Sequence, residues 1–131
     1  MTAAAVRRCP CRKKSEDITY AVCCAPFHAG ASVAPTAESL MSSRYSAFAL
    51  QLAPYLLQTW HPSTRPQTLA LTPHEHFISL KILGSSTDRE TATVAFVARS
   101  LVGGRSQIVS ETSRFFRVDG HWLYVDGLMS P

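Results

Sequence analysis

Four cysteines in one short window carry the most specific chemistry in this chain: Cys9-Pro-Cys11 and, after eleven intervening residues, Cys23-Cys24. Thiolates are soft donors that select zinc over magnesium or calcium, and four of them complete the closed tetrahedral shell of a structural zinc ion, leaving no open position for a substrate. In a reducing compartment such a cluster favours metal over cross-links. Two disulfides, or four free thiols in a loose terminus, are the competing readings. One structural zinc ion is therefore expected on Cys9, Cys11, Cys23 and Cys24, with His28, four residues beyond Cys24, as a substitute ligand.

A second set of side chains could do acid–base or binding work. Trp60-His61-Pro62-Ser63-Thr64-Arg65-Pro66 is a proline-fixed turn that presents a Trp, a His and an Arg close together. Histidine titrates near neutrality and a buried glutamate can be raised toward it, so His61 or Glu111 is the natural acid or base. Each also has a structural role to weigh against this, Trp60 as a plug at the end of a core and Glu111 as the charge partner of Arg44 or Arg114. Arg44 and Glu111 are expected to be neighbours, because an arginine on a buried helix stripe needs a carboxylate. No Gly-x-Ser-x-Gly elbow, phosphate loop, dinucleotide fingerprint or His-Glu-x-x-His helix is present. His74 and His76, two apart, make a poor metal pair.

The chain has 131 residues, 46% hydrophobic and 17% charged, enough for one core and too apolar for disorder. No window supports a membrane span, and the start MTAAAVRR lacks the apolar stretch of a secretory signal, so a cytoplasmic protein is expected. The net charge of +4 is uneven. Arg7, Arg8, Arg12, Lys13 and Lys14 place five of the thirteen basic residues in an N-terminal arm, leaving eight against nine acidic residues in the body. One basic arm on a near-neutral body disfavours nucleic acid as the partner.

The elements that must position these residues follow from local signals. Asp119-Gly120 between aromatic and aliphatic runs specifies a two-residue hairpin turn, pairing Val118 with His121, Arg117 with Trp122, Phe116 with Leu123 and Phe115 with Tyr124. Alternation then gives a face of Ile108, Phe116, Val118, Leu123 and Val125, read as core, and a face of Glu111, Ser113, Phe115, Arg117, Trp122 and Tyr124, read as a wall. Further strands are expected over Ser79–Leu83, Thr91–Leu101 and Ser106–Val118, with turns at Gly84-Ser85-Ser86 and Gly103-Gly104. Ala29–Pro35 reads as a linker. Thr36 caps an amphipathic helix carrying Leu40, Met41, Phe48 and Leu52, and Pro54 opens a second segment that ends before His61-Pro62. Thr72-Pro73-His74-Glu75 has the form of a capping box starting a short helix. Helices first and a meander afterwards make an α+β chain.

Cys9-Pro-Cys11 with Tyr20-Ala-Val-Cys23-Cys24-Ala-Pro-Phe27-His28-Ala-Gly30 resembles the SEC-C motif, a small zinc-binding module. The rest, through Ala34-Pro-Thr-Ala-Glu-Ser-Leu-Met41, Ser43-Arg-Tyr-Ser-Ala-Phe48, Thr59–Pro66, Ser113-Arg-Phe115 and Trp122-Leu-Tyr-Val-Asp-Gly127, resembles the bacterial YchJ family. The resemblance implies a SEC-C-like zinc module with its basic arm over residues 1–30 and a nuclear-transport-factor-2-like, cystatin-like domain over 35–131. In that domain a cone-like curved antiparallel sheet wraps around N-terminal helices. Members usually carry Gly-Ser-Gly after Cys-Pro-Cys, where this chain has Arg12-Lys13-Lys14 and a longer loop. The open end of a cone is a natural pocket, and Arg44, Tyr45, Trp60, His61, Arg65, Glu111, Phe115, Trp122 and Tyr124 are the residues placed to line it. The function expected is that of a non-catalytic binding or adaptor protein, its zinc module meeting a macromolecular partner and its cone a small, anionic ligand or a partner chain, as a monomer or homodimer. A small-molecule isomerase, dehydratase or hydrolase is the alternative.

Overall fold

The computed structural model describes residues 8–11 and 19–129. The basic arm before Arg8 and the Arg12-Lys13-Lys14 loop lie outside the described residues. Among the described residues, a 3-10 turn at Tyr20–Val22 is followed by three helices, α1 (Ala25–His28), α2 (Ala37–Ala49) and α3 (Ala53–Gln58), then four strands, β1 (His76–Asp88), β2 (Thr91–Val102), β3 (Arg105–Val118) and β4 (His121–Met129). The strands form one antiparallel meander in the order β1-β2-β3-β4, a curved sheet around the helices. Among the described residues no helix is long and apolar enough to cross a membrane.

Local chemistry accounts for most boundaries. Thr36 caps α2, its hydroxyl oxygen accepting from the Ser39 amide at 3.0 Å. Pro54 sits in the first turn of α3, where its missing N–H leaves no orphan. Gly103-Gly104 and Asp119-Gly120 all take positive φ, as primed hairpin turns require. The four pairings read from Asp119-Gly120 are the observed ones.

Four readings are corrected. His74 has φ +58°, so Thr72–Glu75 is a turn rather than a capping box, and Phe77 lies on β1. Gly84 makes no turn; it follows a bulge inside β1, and the chain reverses instead at Arg89-Glu90, with Arg89 at φ +57°. Helix α2 is not amphipathic: every residue from Met41 to Ala47 is buried, because the cysteine segment, α3 and the sheet each cover one side. The hairpin's faces are exchanged. Phe115, Ser113 and Trp122 are buried with Val94 and Phe96, whereas Ile108 is 62% and Val118 41% exposed, because the concave side of the curled sheet is the aromatic one; of the expected core face, only Val125 is buried as expected.

Three bulges adjust which side chains face that concavity. In β1 the register steps over Ile78 and again over Leu83, so Phe77, Leu80 and Ile82 all point inward opposite Ser100, Ala98 and Phe96. In β4 it steps over Val125, which turns Gly127 inward opposite Ser113. The free edge of β4 is extended by the proline turn: the His61 amide donates to the Tyr124 carbonyl at 2.7 Å and the Tyr124 amide to the Thr59 carbonyl at 2.8 Å.

Removing the α2 cap by Thr36→Ala should lower stability by about 1 kcal/mol, read as a shift of the urea midpoint at unchanged slope. An unchanged midpoint would mean that packing around α2 alone sets its start.

Candidate metal centre and ligand cavity

The cysteine segment closes on itself through an Arg8–Thr19 bridge and the turn whose Cys23 amide donates to the Thr19 carbonyl at 3.1 Å. This brings four fully or nearly buried sulfurs within 4.8 Å of one another. The Sγ atoms of Cys11 and Cys23 are 3.6 Å apart, those of Cys24 and Cys11 3.7 Å, and those of Cys23 and Cys24 3.9 Å. A disulfide would need about 2.05 Å. A tetrahedron of thiolates around a metal at about 2.3 Å has edges of about 3.8 Å, so the donor set fits one four-coordinate ion.

The cluster rests on α2. The Ser46 hydroxyl donates to Cys24 Sγ at 3.3 Å and lies 3.4 Å from Cys9 Sγ, so one serine touches two sulfurs. Small residues at Ser42, Ser43 and Ser46 are what allow sulfur to approach the helix. Hydrogen bonds from Cys11 and Cys24 hold Cys9 well below the usual thiol range, whereas burial, followed by repulsion from Cys11, pushes Cys23 up to about 12. Such a group ionises fully only against a compensating cation. His28 is not a ligand: one ring nitrogen meets the Tyr20 hydroxyl at 2.6 Å and the other the Ser43 carbonyl at 2.8 Å. Its ring packs edge-on to Tyr55 at 4.7 Å and so locks the module to both helices.

On another side of α2 lies a cavity of about 290 Å³ lined by Met41, Arg44, Tyr45, Phe48, Trp60, Glu75, Phe77, Phe96, Ala98, Val109, Glu111, Ser113 and Tyr124. Arg44 forms part of its floor. Its Nη1 donates to the Leu56 carbonyl at 2.8 Å and the Thr59 hydroxyl at 2.7 Å, and its Cζ lies 4.6 Å from the Tyr124 ring and 5.3 Å from the Trp60 ring. Burial lowers its pKa to about 10, partly offset by Tyr124, Tyr55 and Glu111. The Glu111 carboxylate accepts from the Ser113 hydroxyl at 2.6 Å. It reaches over Gly127, where a Cβ would collide with it. Arg44 and Glu111 thus share the cavity, but among the described residues no salt bridge joins them; a carbonyl, a hydroxyl and two rings hold the guanidinium.

Of the nine residues expected at the pocket, Arg44, Tyr45, Trp60, Glu111 and Tyr124 meet there. His61 faces away: its ring accepts from the Ser63 amide at 3.1 Å and packs on Phe116, on the sheet's outer side. Arg65 is exposed and donates to the Trp60 carbonyl at 2.9 Å. Phe115 is fully buried in the core. Trp122 lines a separate cavity of about 280 Å³ beside Phe27 and Val33, with Arg117 4.9 Å over its ring. Arg114, opposite the bulge, stays on the outer face in a bidentate pair with Asp126 at 2.7 Å. Sequence reasoning missed Glu75, whose carboxylate accepts from the Ser100 hydroxyl at 2.5 Å. The false capping box had assigned it to a helix end.

Comparison with known proteins now has a geometry to meet. Residues 36–127 match the family described as YchJ, middle NTF2-like domain. The chain belongs to the YchJ family. Its relatives include UPF0225 proteins of Ralstonia nicotianae, 47% identical over 91% of this chain and 89% of theirs, and of Streptomyces coelicolor, 48% identical over 91% and 93%. Two solved structures are similar throughout. The SEC-C motif containing protein of Rhodopseudomonas palustris has a TM-score of 0.83 and 33% identity over 95% of this chain and all of that one. That of Psychrobacter arcticus has a TM-score of 0.80 and 25% identity over 99% and 86%. In this YchJ-family chain the matched domain contains the cavity, and the cysteines precede it.

Gly127→Ala should displace the Glu111 carboxylate, moving the amide signals of Glu111, Ser113 and Met129 while leaving the distant β1–β2 turn unshifted. Arg44→Met, which strips the Thr59 hydroxyl of its donor and leaves the Leu56 carbonyl only the longer bond from Thr59, should cost about 1–3 kcal/mol. A cost near zero would show that the guanidinium is dispensable to the fold.

Proposed function

We propose that the chain is a cytoplasmic zinc-binding protein that works by binding rather than catalysis. One structural zinc ion on Cys9, Cys11, Cys23 and Cys24 fixes the N-terminal module against α2, and the cone cavity holds a small ligand. The observation that carries this is the buried quartet of sulfurs at tetrahedral spacing, seated on the same helix that floors the cavity. The segment has few large apolar side chains of its own, and a structural zinc ion can contribute roughly 10–16 kcal/mol of apparent folding free energy. Its outer surface, where Val22 is 70% exposed, is the side offered to a macromolecular partner.

Binding is favoured over chemistry because, among the described residues, the cavity lining contains no cysteine and no histidine. The second reading, an acid–base enzyme acting on a small molecule, draws on Glu111 and Glu75, two carboxylates in an otherwise aromatic and aliphatic chamber.

Metal analysis of the purified full chain should give one zinc per chain, and Cys11→Ser should abolish it. Because the sulfurs sit on α2, chelation should move the amide signals of Ser42, Ser43 and Ser46 together with those of the module. Another metal at full occupancy, or a helix indifferent to chelation, would overturn the assignment.

A further inference from the structure

The charges inside the cavity are unequally committed. Arg44, the one cation among the described lining residues, has both Nη1 hydrogens engaged by protein oxygens and lies against two aromatic rings. Glu75 and Glu111 each use one carboxylate oxygen, Oε2, to accept from a serine, and among the described residues neither Oε1 has a hydrogen-bond partner. Among the described residues two carboxylates stand against one arginine, which leaves the chamber formally negative. Arg65 and Arg114 both stand outside it.

The two acids occupy different ends. Ser100, which holds Glu75, lies four residues along β2 from Phe96, the partner of Glu111, a distance of about 13 Å at strand rise. Glu111 has the positive field of Arg44 beside it. Glu75 stands with Phe48 and Phe77, and the same three side chains also line a smaller recess of about 120 Å³. Tyr45 closes this end, edge-on to Phe77 at 5.3 Å. A carboxylate with a free oxygen among aromatic rings is the chemistry that recognises an ammonium group, through a charge-assisted hydrogen bond and the negative faces of the rings.

We infer that the cavity is a site for a small organic cation, a protonated amine on an apolar body, whose ammonium is taken by Glu75 beside Phe48 and Phe77 while its body lies over Phe96 toward Glu111. The inference rests on the reading of the cone as a ligand site and adds the charge of the ligand and the residue that selects it.

The test is a titration of the isotope-labelled full chain at pH 7 with 2-phenylethylammonium chloride and, in parallel, with sodium 3-phenylpropionate, an anion of similar size and shape. The ammonium should shift the amides of Glu75, Phe77, Phe96 and Glu111 and bind at least about tenfold more tightly than the carboxylate. E75Q should reduce ammonium binding about tenfold, and D126N, which removes an exposed carboxylate on the outer face, should leave it unchanged. Carboxylate binding in the cavity as tight as that of the ammonium would overturn the cation assignment and keep the ligand site. Shifts from neither probe would overturn both. Should E75Q fail to fold, the comparison of the two probes on the unmodified chain decides alone.

Discussion

Everything in this molecule depends on a helix that has no exposed side. From Met41 to Ala47 every residue of α2 is buried, so the helix needs a partner in each direction before it can be stable. The sheet supplies one through Val94, Phe96 and Phe115, and α3 another, with Tyr55 meeting the Ser43 hydroxyl at 2.8 Å. The third is the cysteine segment, which meets α2 through sulfur, serine hydroxyls and a carbonyl, with Tyr20 and Phe27 packed on the same buried clusters. The module is therefore the missing wall of the core, and its four cysteines join the same buried cluster as Leu40, Met41 and Trp122.

How a cavity survives beside so crowded a helix is a matter of parity. A regular strand would alternate without interruption, and the bulges at Ile78, Leu83 and Val125 interrupt it where the lining is made. The step at Val125 matters most. It presents Gly127 to the interior, and the space that a side chain would fill is taken by the carboxylate of Glu111. The bulge thus admits a charge to the chamber without widening the sheet.

Short-range chemistry was legible in the sequence and long-range curvature was not. Asp119-Gly120 dictates its turn, and with it four pairings, because positive φ at two consecutive residues admits few alternatives. Four sulfurs in a short window announce a common site whatever their fold. By contrast, which face of the hairpin is core depends on the direction in which the sheet curls, a property of all four strands, so the aliphatic face was mistaken for the interior. His74 and Gly84 failed for a related reason. Each carries a local signal, for a helix start and for a turn, that pairing along the full length of β1 overrides. Arg44 was correctly placed in the interior near Glu111, but a direct salt bridge is not what holds it among the described residues, since main-chain carbonyls, hydroxyls and ring faces can hold a guanidinium and none of them is visible from spacing.

The cost of Arg44 bears on why the chamber exists. Burial lowers its pKa to about 10, so the interior works against its charge, and the hydrogen bonds to Leu56 and Thr59 with the Trp60 and Tyr124 rings only offset that penalty. An apolar side chain of similar volume would avoid that penalty but leave the Thr59 hydroxyl without its donor. The same holds for Glu75 and Glu111, each tethered by one serine and each facing a chamber otherwise lined largely by rings and aliphatic groups. A core arranged for stability alone would fill this space with Leu or Phe. Three charged groups among the described lining of one 290 Å³ chamber, two of them with a carboxylate oxygen to spare, are what the proposed ligand site draws on.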